Sequence, residues 1–362
     1  MGAAARAMVK LFLCGDVMTG RGIDQILGAP CNPALCEPWV KDARDYVALA
    51  ERANGPIPRG APPGYVWGEA LALLEEERPD LRIVNLETAV TTSAARAPKG
   101  INYRMSPANA ACLTAARLDC CVLANNHVLD WGMRGLEETL DTLHGAGLRT
   151  AGAGRDAAEA AAPATLEVAG QGRVLVFAWG LESSGVPAGW AAGEQRPGVN
   201  FLPDVSGASA ERVCAHILSR KRAGDFAVVS LHWGPNWGYA VEREQRAFAH
   251  RLIDASAADL VHGHSSHHPG ALEIHRERLI LYGCGDFLND YEGIEGHESY
   301  RPELTLMYFA TLEPGGALRE LALRPMRLRR FRLERASPTD AAWLAGTLRR
   351  VSGRGFERAR LR

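Results

Sequence analysis

Five short apolar runs in this chain each lead to a residue that binds metals or carries protons. Residues 9–13 (VKLFL) run through Cys14 and Gly15 to Asp16, and 81–86 (LRIVNL) run to Glu87. Residues 120–124 (CCVLA) precede Asn125, Asn126 and His127, 226–231 (FAVVSL) precede His232, and 259–261 precede His262. Further runs at 174–179 and 279–282 have the same strand character, and helical spacing fills 68–77, 107–117, 133–146 and 242–257. Short apolar strands alternating with helices of about 10–15 residues predict a mostly parallel sheet covered on both faces. In such sheets ligands bind beyond the carboxyl ends of the strands. The pattern therefore ties fold class, α/β, to the place of the site.

After residue 303 the pattern changes. ELTLMYFATLE, a turn at Gly315 and Gly316, and LRELALRPMRLRRFRLERA read as antiparallel strands, and Pro338 with Asp340 opens a terminal helix. Residues 301–362 hold fourteen Arg, no Lys and six acids, although the 362-residue chain has a net charge of only −1. Such a segment raises the question of nucleic acid. The arginines alternate with apolar residues, however, which fits a solvated strand and helix face, and nucleic acid is not an expected partner.

Apolar residues at 47% and charged residues at 23% exclude a disordered chain. No apolar run approaches the roughly 18 residues of a transmembrane helix, and MGAAARAMVKLFLCGDV lacks the apolar core of a secretory signal. With eight cysteines and no CxxC pair, a cytoplasmic protein with reduced thiols is expected. Cys31 and Cys36, in the Pro- and Gly-rich stretch 28–66, are the one pair to check for a disulfide or a metal. Residues 1–8 read as a flexible tail. Residues 9–362 read as a single domain completed by 301–362, because the strand-end residues from 16 to 267 share one site.

The densest chemical signal is VHGHSSHHPG. It places His262, His264, His267 and His268 within seven residues, between Gly263 and Gly270. Imidazole is the commonest metal ligand, and glycine lets the backbone aim two rings at one point. Asp16 and Glu87 supply carboxylates, Asn125 or Asn126 an amide oxygen and His232 a further ring. His127 is placed to face substrate, with Asp130 orienting it. Trp233 is a candidate pocket wall, and the forked guanidinium of Arg21 suits a carboxylate or phosphate. This donor set suits one or two divalent ions (Mn, Fe, Zn or Ca).

Taken in order, these motifs resemble the CapA family, named for a poly-γ-glutamate capsule protein and related to calcineurin-type metallophosphoesterases. The matching residues are Gly15-Asp16-Val17-Met18 with Gly20-Arg21, Asn85-Leu86-Glu87, and Leu123-Ala124-Asn125-Asn126-His127 with Asp130 and Gly132. They continue with His232-Trp233-Gly234, Gly263-His264 with His267, and Tyr282-Gly283-Cys284-Gly285-Asp286-Phe287. The resemblance covers roughly residues 9–290. It implies a four-layer α/β/β/α metallophosphoesterase-like sandwich. It implies Asp16, Glu87, Asn126, His232, His264 and His267 as metal ligands and His127 as the substrate-facing histidine. The chain departs from the pattern at Met18, where the phosphoesterases have His, and at Pro235 and Asn236, where Glu is common. His267 and His268 compete for one role, and Asp286 stands where an amide is usual.

The expected function is that of a soluble, metal-dependent enzyme acting on a peptide or poly-γ-glutamate-type substrate by acid/base chemistry or hydrolysis. Asp16, His127, Asp130 and His267 are the expected catalytic group. Arg21, Asn125, Trp233, His268 and Asp286 are the expected substrate contacts. The alternatives are a peptide epimerase that abstracts an α-proton, a phosphoesterase, and a non-catalytic polymer-biosynthesis factor whose arginines hold an anionic polymer.

Overall fold

A computed structural model describes residues 8–361; the expected tail, Met8 apart, lies outside the described residues. Two large sheets organise the chain. The first runs Arg332–Arg335, Leu318–Arg329, Leu304–Leu312, Val9–Val17, Leu81–Leu86, Cys120–Val122, Arg149–Ala151. Asp286–Leu288 pairs parallel with the end of Val9–Val17, and Ala359–Leu361 lies along Leu318–Arg329. The second sheet runs Phe201–Leu202, Gly172–Leu181, Phe226–His232, Leu260–His264, Arg278–Leu281, Leu272–His275, with Ala164–Val168 antiparallel to Gly172–Leu181.

Side-chain alternation sorts these strands into three apolar cores. Leu11 and Leu13 point between the sheets, where they join Ile83, Val122, Val176, Val228, Leu260 and Leu281. Phe12 and Cys14 of the same strand point outward. There they join Val47 of helix Arg44–Asn54, Leu73 of Ala70–Glu77 and Leu136 of Gly132–Gly145. On the far side Val229 and Leu231 pack under Val213 of helix Gly207–Leu218 and Phe248 of Arg243–Asp254. Helices, sheet, sheet and helices make four layers. Burial on both faces explains why the strands read as unbroken apolar runs.

The C-terminal segment is the expected antiparallel hairpin, with Gly315 and Gly316 at positive φ in its turn. The terminal helix Pro338–Ser352 is capped by Ser337, whose Oγ accepts the Asp340 N–H at 3.1 Å. Within the C-terminal segment Arg301 pairs with Asp340 at 2.6 Å, and three other arginines reach acids of the body: Arg324 pairs with Glu77, Arg335 with Glu76 at 2.7 Å and Arg358 with Glu277 at 2.5 Å. They hold this segment to the body as well as facing water.

Two details differ from expectation. The helix expected over 107–117 is a single turn at Pro107–Asn109 followed by Ala111–Thr114, and the chain leaves it through Arg117 at positive φ. The irregular stretch 28–66 contains the helix Arg44–Asn54. Cys31 and Cys36 are free thiols, as are the other six. No described helix is long and apolar enough to cross a membrane.

Candidate metal centre

The strand-end residues of both sheets meet. Asp16 lies in register with Asn85 on one side and Asp286 on the other, and His232 is in register with His264 on the second sheet. The His232 and His264 Nδ1 atoms are 2.8 Å apart, and Asp16 Oδ1 is 3.9 Å from His264 Nδ1. Glu87 Oε1 stands 3.8 Å from His232 Nε2. Asp16, Glu87, His232 and His264 are all buried.

The proton positions follow from the partners. The Cys14 carbonyl can only accept, so His262 Nε2–H donates to it at 2.7 Å. His262 Nδ1 is then an acceptor for the Ser230 hydroxyl at 3.2 Å. Ser230 Oγ in turn accepts from His264 Nε2–H at 2.8 Å. This relay leaves His264 Nδ1 as a bare lone pair. His232 Nε2–H donates to Asn126 Oδ1 at 3.1 Å, which bares His232 Nδ1 as well. Two lone pairs and a carboxylate therefore converge, a donor set for a divalent cation. Glu87 Oε2, buried beside them, has no hydrogen-bond partner among the described residues.

Electrostatics agree. Burial, reinforced by the Asp286 charge, pushes the Asp16 carboxyl up to about 7. Burial and then Asp16 push Glu87 well above the carboxylate range. Burial, followed by neighbouring imidazoles, holds His232 and His264 well below the ordinary histidine value. Neutral imidazoles keep their lone pairs free, and a cation beside the buried carboxylates would offset the cost of ionising them. The residues present thus fit a divalent ion.

The relay gives a first prediction. Ser230→Ala leaves His264 Nε2–H and His262 Nδ1 unpartnered. Calorimetric titration should show metal affinity about 10–100-fold weaker, the usual cost of losing an outer-shell partner. Unchanged affinity would mean that Ser230 does not orient His264.

Two His–Asp pairs flank the centre. His127 Nδ1–H donates to Asp130 Oδ2 at 2.6 Å, and Nε2 faces Glu87 Oε1 at 3.7 Å. Burial lowers His127 to about 4. His267 Nδ1–H donates to Asp286 Oδ1 at 2.8 Å. Burial disfavours its charge, but Asp286 and Asp16 outweigh burial and raise it. The two histidines are thus tuned in opposite directions.

Other candidates stand elsewhere. Arg21 is buried, with Nε and Nη2 on Asp290 at 3.1 and 2.5 Å and Nη1 on Glu37 at 2.9 Å. Its guanidinium donors are engaged within the fold, not presented to an anion. Asn125 is fully buried, donating to Asn85 Oδ1 and the Leu86 carbonyl and accepting the His127 and Val128 N–H groups. It shapes the loop and has no group left for substrate. Trp233 donates to the Tyr282 carbonyl at 2.9 Å and packs in the outer core. His268 is buried against Trp237, Tyr239 and Tyr300, so His267 alone of the pair reaches the centre. Asn126 partners His232, and the Met18 thioether meets the Tyr291 hydroxyl at 3.6 Å.

Sequence reasoning missed Asn85, whose Nδ2 donates to Asp16 Oδ1 at 2.7 Å, and the outer role of Ser230. It also missed Lys99, whose Nζ lies 2.8 Å from Asp130 Oδ1 and 3.3 Å from His127 Nδ1. The only available signal was position: Asn85 and Ser230 each lie two residues before a named ligand.

Two face-to-face sheets with carboxylates and imidazoles gathered at their strand ends define a metallophosphoesterase-like α/β sandwich. The family profile described as "Bacterial capsule synthesis protein PGA_cap" matches residues 10–291, and the chain belongs to that family. It is 50% identical over 350 residues to a "Probable polyglutamine synthesis accessory protein" of Mycobacterium tuberculosis, covering 96% of this chain and 92% of the relative. It is 27% identical over 284 residues to "Capsule biosynthesis protein CapA" of Bacillus anthracis, covering 78% of this chain and 60% of that protein. A "PGA biosynthesis protein CapA" of Bacillus subtilis is 30% identical over 167 residues, 46% of this chain and 41% of that protein.

Proposed function

We propose that this protein is a metal-dependent enzyme that acts on a peptide or poly-γ-glutamate-type polymer as an accessory to its synthesis. The observation that carries this reading is the convergence of His232 Nδ1, His264 Nδ1 and Asp16 beside the unpartnered Glu87 Oε2. The names of two relatives, a polyglutamine synthesis accessory protein and a PGA biosynthesis protein, support a polymer of this kind. Asp16, His232 and His264 would hold one ion of the Mn, Fe or Zn type, with Glu87 adjoining. When bound, the ion supplies Lewis-acid polarisation of a substrate oxygen.

The protein's own groups do the rest. His127, neutral and held by Asp130, is suited to take a proton at Nε2, and His267, held by Asp286, is suited to give one. A cavity of about 340 Å³ lined in part by Asn289, Tyr291, His297 and Arg301 adjoins this side, and Tyr291 packs edge-on to His267 at 5.5 Å. The same reading takes 9–362 as one domain, because Asp16 and His264 reach the centre from different sheets. It places the protein in the cytoplasm on the strength of its eight free thiols.

The test is turnover of γ-glutamyl peptides with and without a chelator, alongside metal analysis. His127→Ala and His267→Ala should keep the metal and lose about 10²–10⁴-fold in rate. Activity indifferent to the chelator would sink the metal reading, and no activity in metal-loaded protein would leave a non-catalytic assembly factor. The opposed tuning of His127 and His267 favours a second reading, a peptide epimerase with one acid and one base. That reaction would bring solvent deuterium into an uncleaved peptide; cleavage without exchange excludes it.

A further inference from the structure

A second cluster of metal-ligating side chains lies in the outer layer and shares no residue with the centre above. His250 and Asp254 are four residues apart on helix Arg243–Asp254, and therefore share a face. Glu273 and His275 are two apart on Leu272–His275, the edge strand of the second sheet, and also share a face. The two faces meet with crossed pairing. His250 Nε2 lies 2.8 Å from Glu273 Oε1, and His275 Nε2 lies 2.8 Å from Asp254 Oδ1. The imidazoles stack at 3.8 Å, only 5° from parallel. One ligand atom each from His250, Glu273 and His275 lies within 4.8 Å of the other two.

We propose that His250, Glu273, His275 and Asp254 form a structural site for a zinc-type divalent ion, clipping the helix to the sheet edge. Two imidazoles and two carboxylates complete a four-ligand set of the kind zinc takes, with no position left open for chemistry. His250, Glu273 and His275 are half-buried and Asp254 is exposed, so their rotamers can close the remaining distance on an ion. The other partners are compatible. Glu273 Oε2 is held by Arg246 and by the Tyr282 hydroxyl at 2.8 Å, which leaves Oε1 toward the imidazoles. Arg276 Nε lies 2.8 Å from Asp254 Oδ1, but its side chain is 68% exposed and free to swing into water. Bound metal would take the place of the two protons now shared between ring and carboxylate.

The proposal does not rest on the function proposed above. Its test uses Co²⁺ as the probe on the full-length protein, counting bound equivalents by equilibrium dialysis and recording visible absorption. Wild type should bind one equivalent more than His250→Ala/His275→Ala. The Asp16→Asn/His264→Ala protein should retain that equivalent, which separates this site from the strand-end centre. Zn²⁺ should raise the melting temperature of wild type more than that of His250→Ala/His275→Ala. Equal cobalt counts in wild type and His250→Ala/His275→Ala would overturn the site.

Discussion

Asp16→Asn is expected to abolish metal binding at the strand-end centre and, at pH 8 in a chelator, to melt at a higher temperature than wild type. The first half follows from its place as the one carboxylate in the trio with His232 and His264. Its loss should cost more than the roughly 10–100-fold expected for an outer-shell partner. The second half follows from the sign of its shift. The folded-state value of about 7 lies above the ordinary value of 3.8, so the folded protein binds the extra proton between those limits. Without metal, Asp16 therefore lowers stability as pH rises through that window, by an amount on the order of a few kcal/mol. The amide carries no such charge. It still offers an oxygen to Asn85 Nδ2 or to the Ser265 N–H, which limits the loss to about 1 kcal/mol. Buried neutral histidines titrate with the opposite sign in acid, so the measurement is the difference between variant and wild type, at pH 5 and at pH 8. That difference should grow with pH. Metal affinity of wild type should also rise toward pH 8, because the ion competes with the Asp16 proton. A variant that melts lower than wild type at pH 8 without metal would show that Asp16 is not a strained charge.

Gly15→Ala should prevent folding altogether. A Cβ there would stand 1.5 Å from the Gly285 carbonyl oxygen. That oxygen accepts the Asp16 N–H at 2.9 Å, in the pairing that brings Asp286 alongside Asp16. The nearest atoms, from Gly285 and Cys284, are all backbone, so no side chain can turn aside and the strands would have to part. The cost exceeds the usual 1–3 kcal/mol of overpacking, a large share of a domain's stability. Soluble expression and circular dichroism check it; a folded, metal-binding Gly15→Ala protein would show that the strands can separate at no great cost.

These two positions also show what a sequence reader can and cannot see. Leu11 to Leu13 and Ala227 to Val229 are apolar at successive positions because both faces are covered, and this made the layers legible. The strand-end rule then collected Asp16, Glu87, His232 and His264 before any coordinates. Partnership over long separations was not legible. Arg21 reads as a free anion grip until Asp290 and Glu37 are seen to occupy it. Asn125 reads as a substrate contact until its amide is seen closing the turn before His127. The second cluster was hidden for the same reason. A helix face and a strand face become a site only when folding juxtaposes them.

The course of the chain through the first sheet sets a timetable for the centre. Val9–Val17 is synthesised before the other strands of its sheet, yet its neighbour on one side is Leu304–Leu312, and Asp286–Leu288 joins it beside Asp16. During translation the strand that carries Asp16 has no partner on that flank until residues 286–312 have emerged. Pairing across such separations is slow, and an exposed strand edge in the interval is prone to misassembly. On the proposed reading, loading of the strand-end centre would therefore be a late event, after residues 286–312 have joined the sheet, and a product that stops before them should hold the ion poorly.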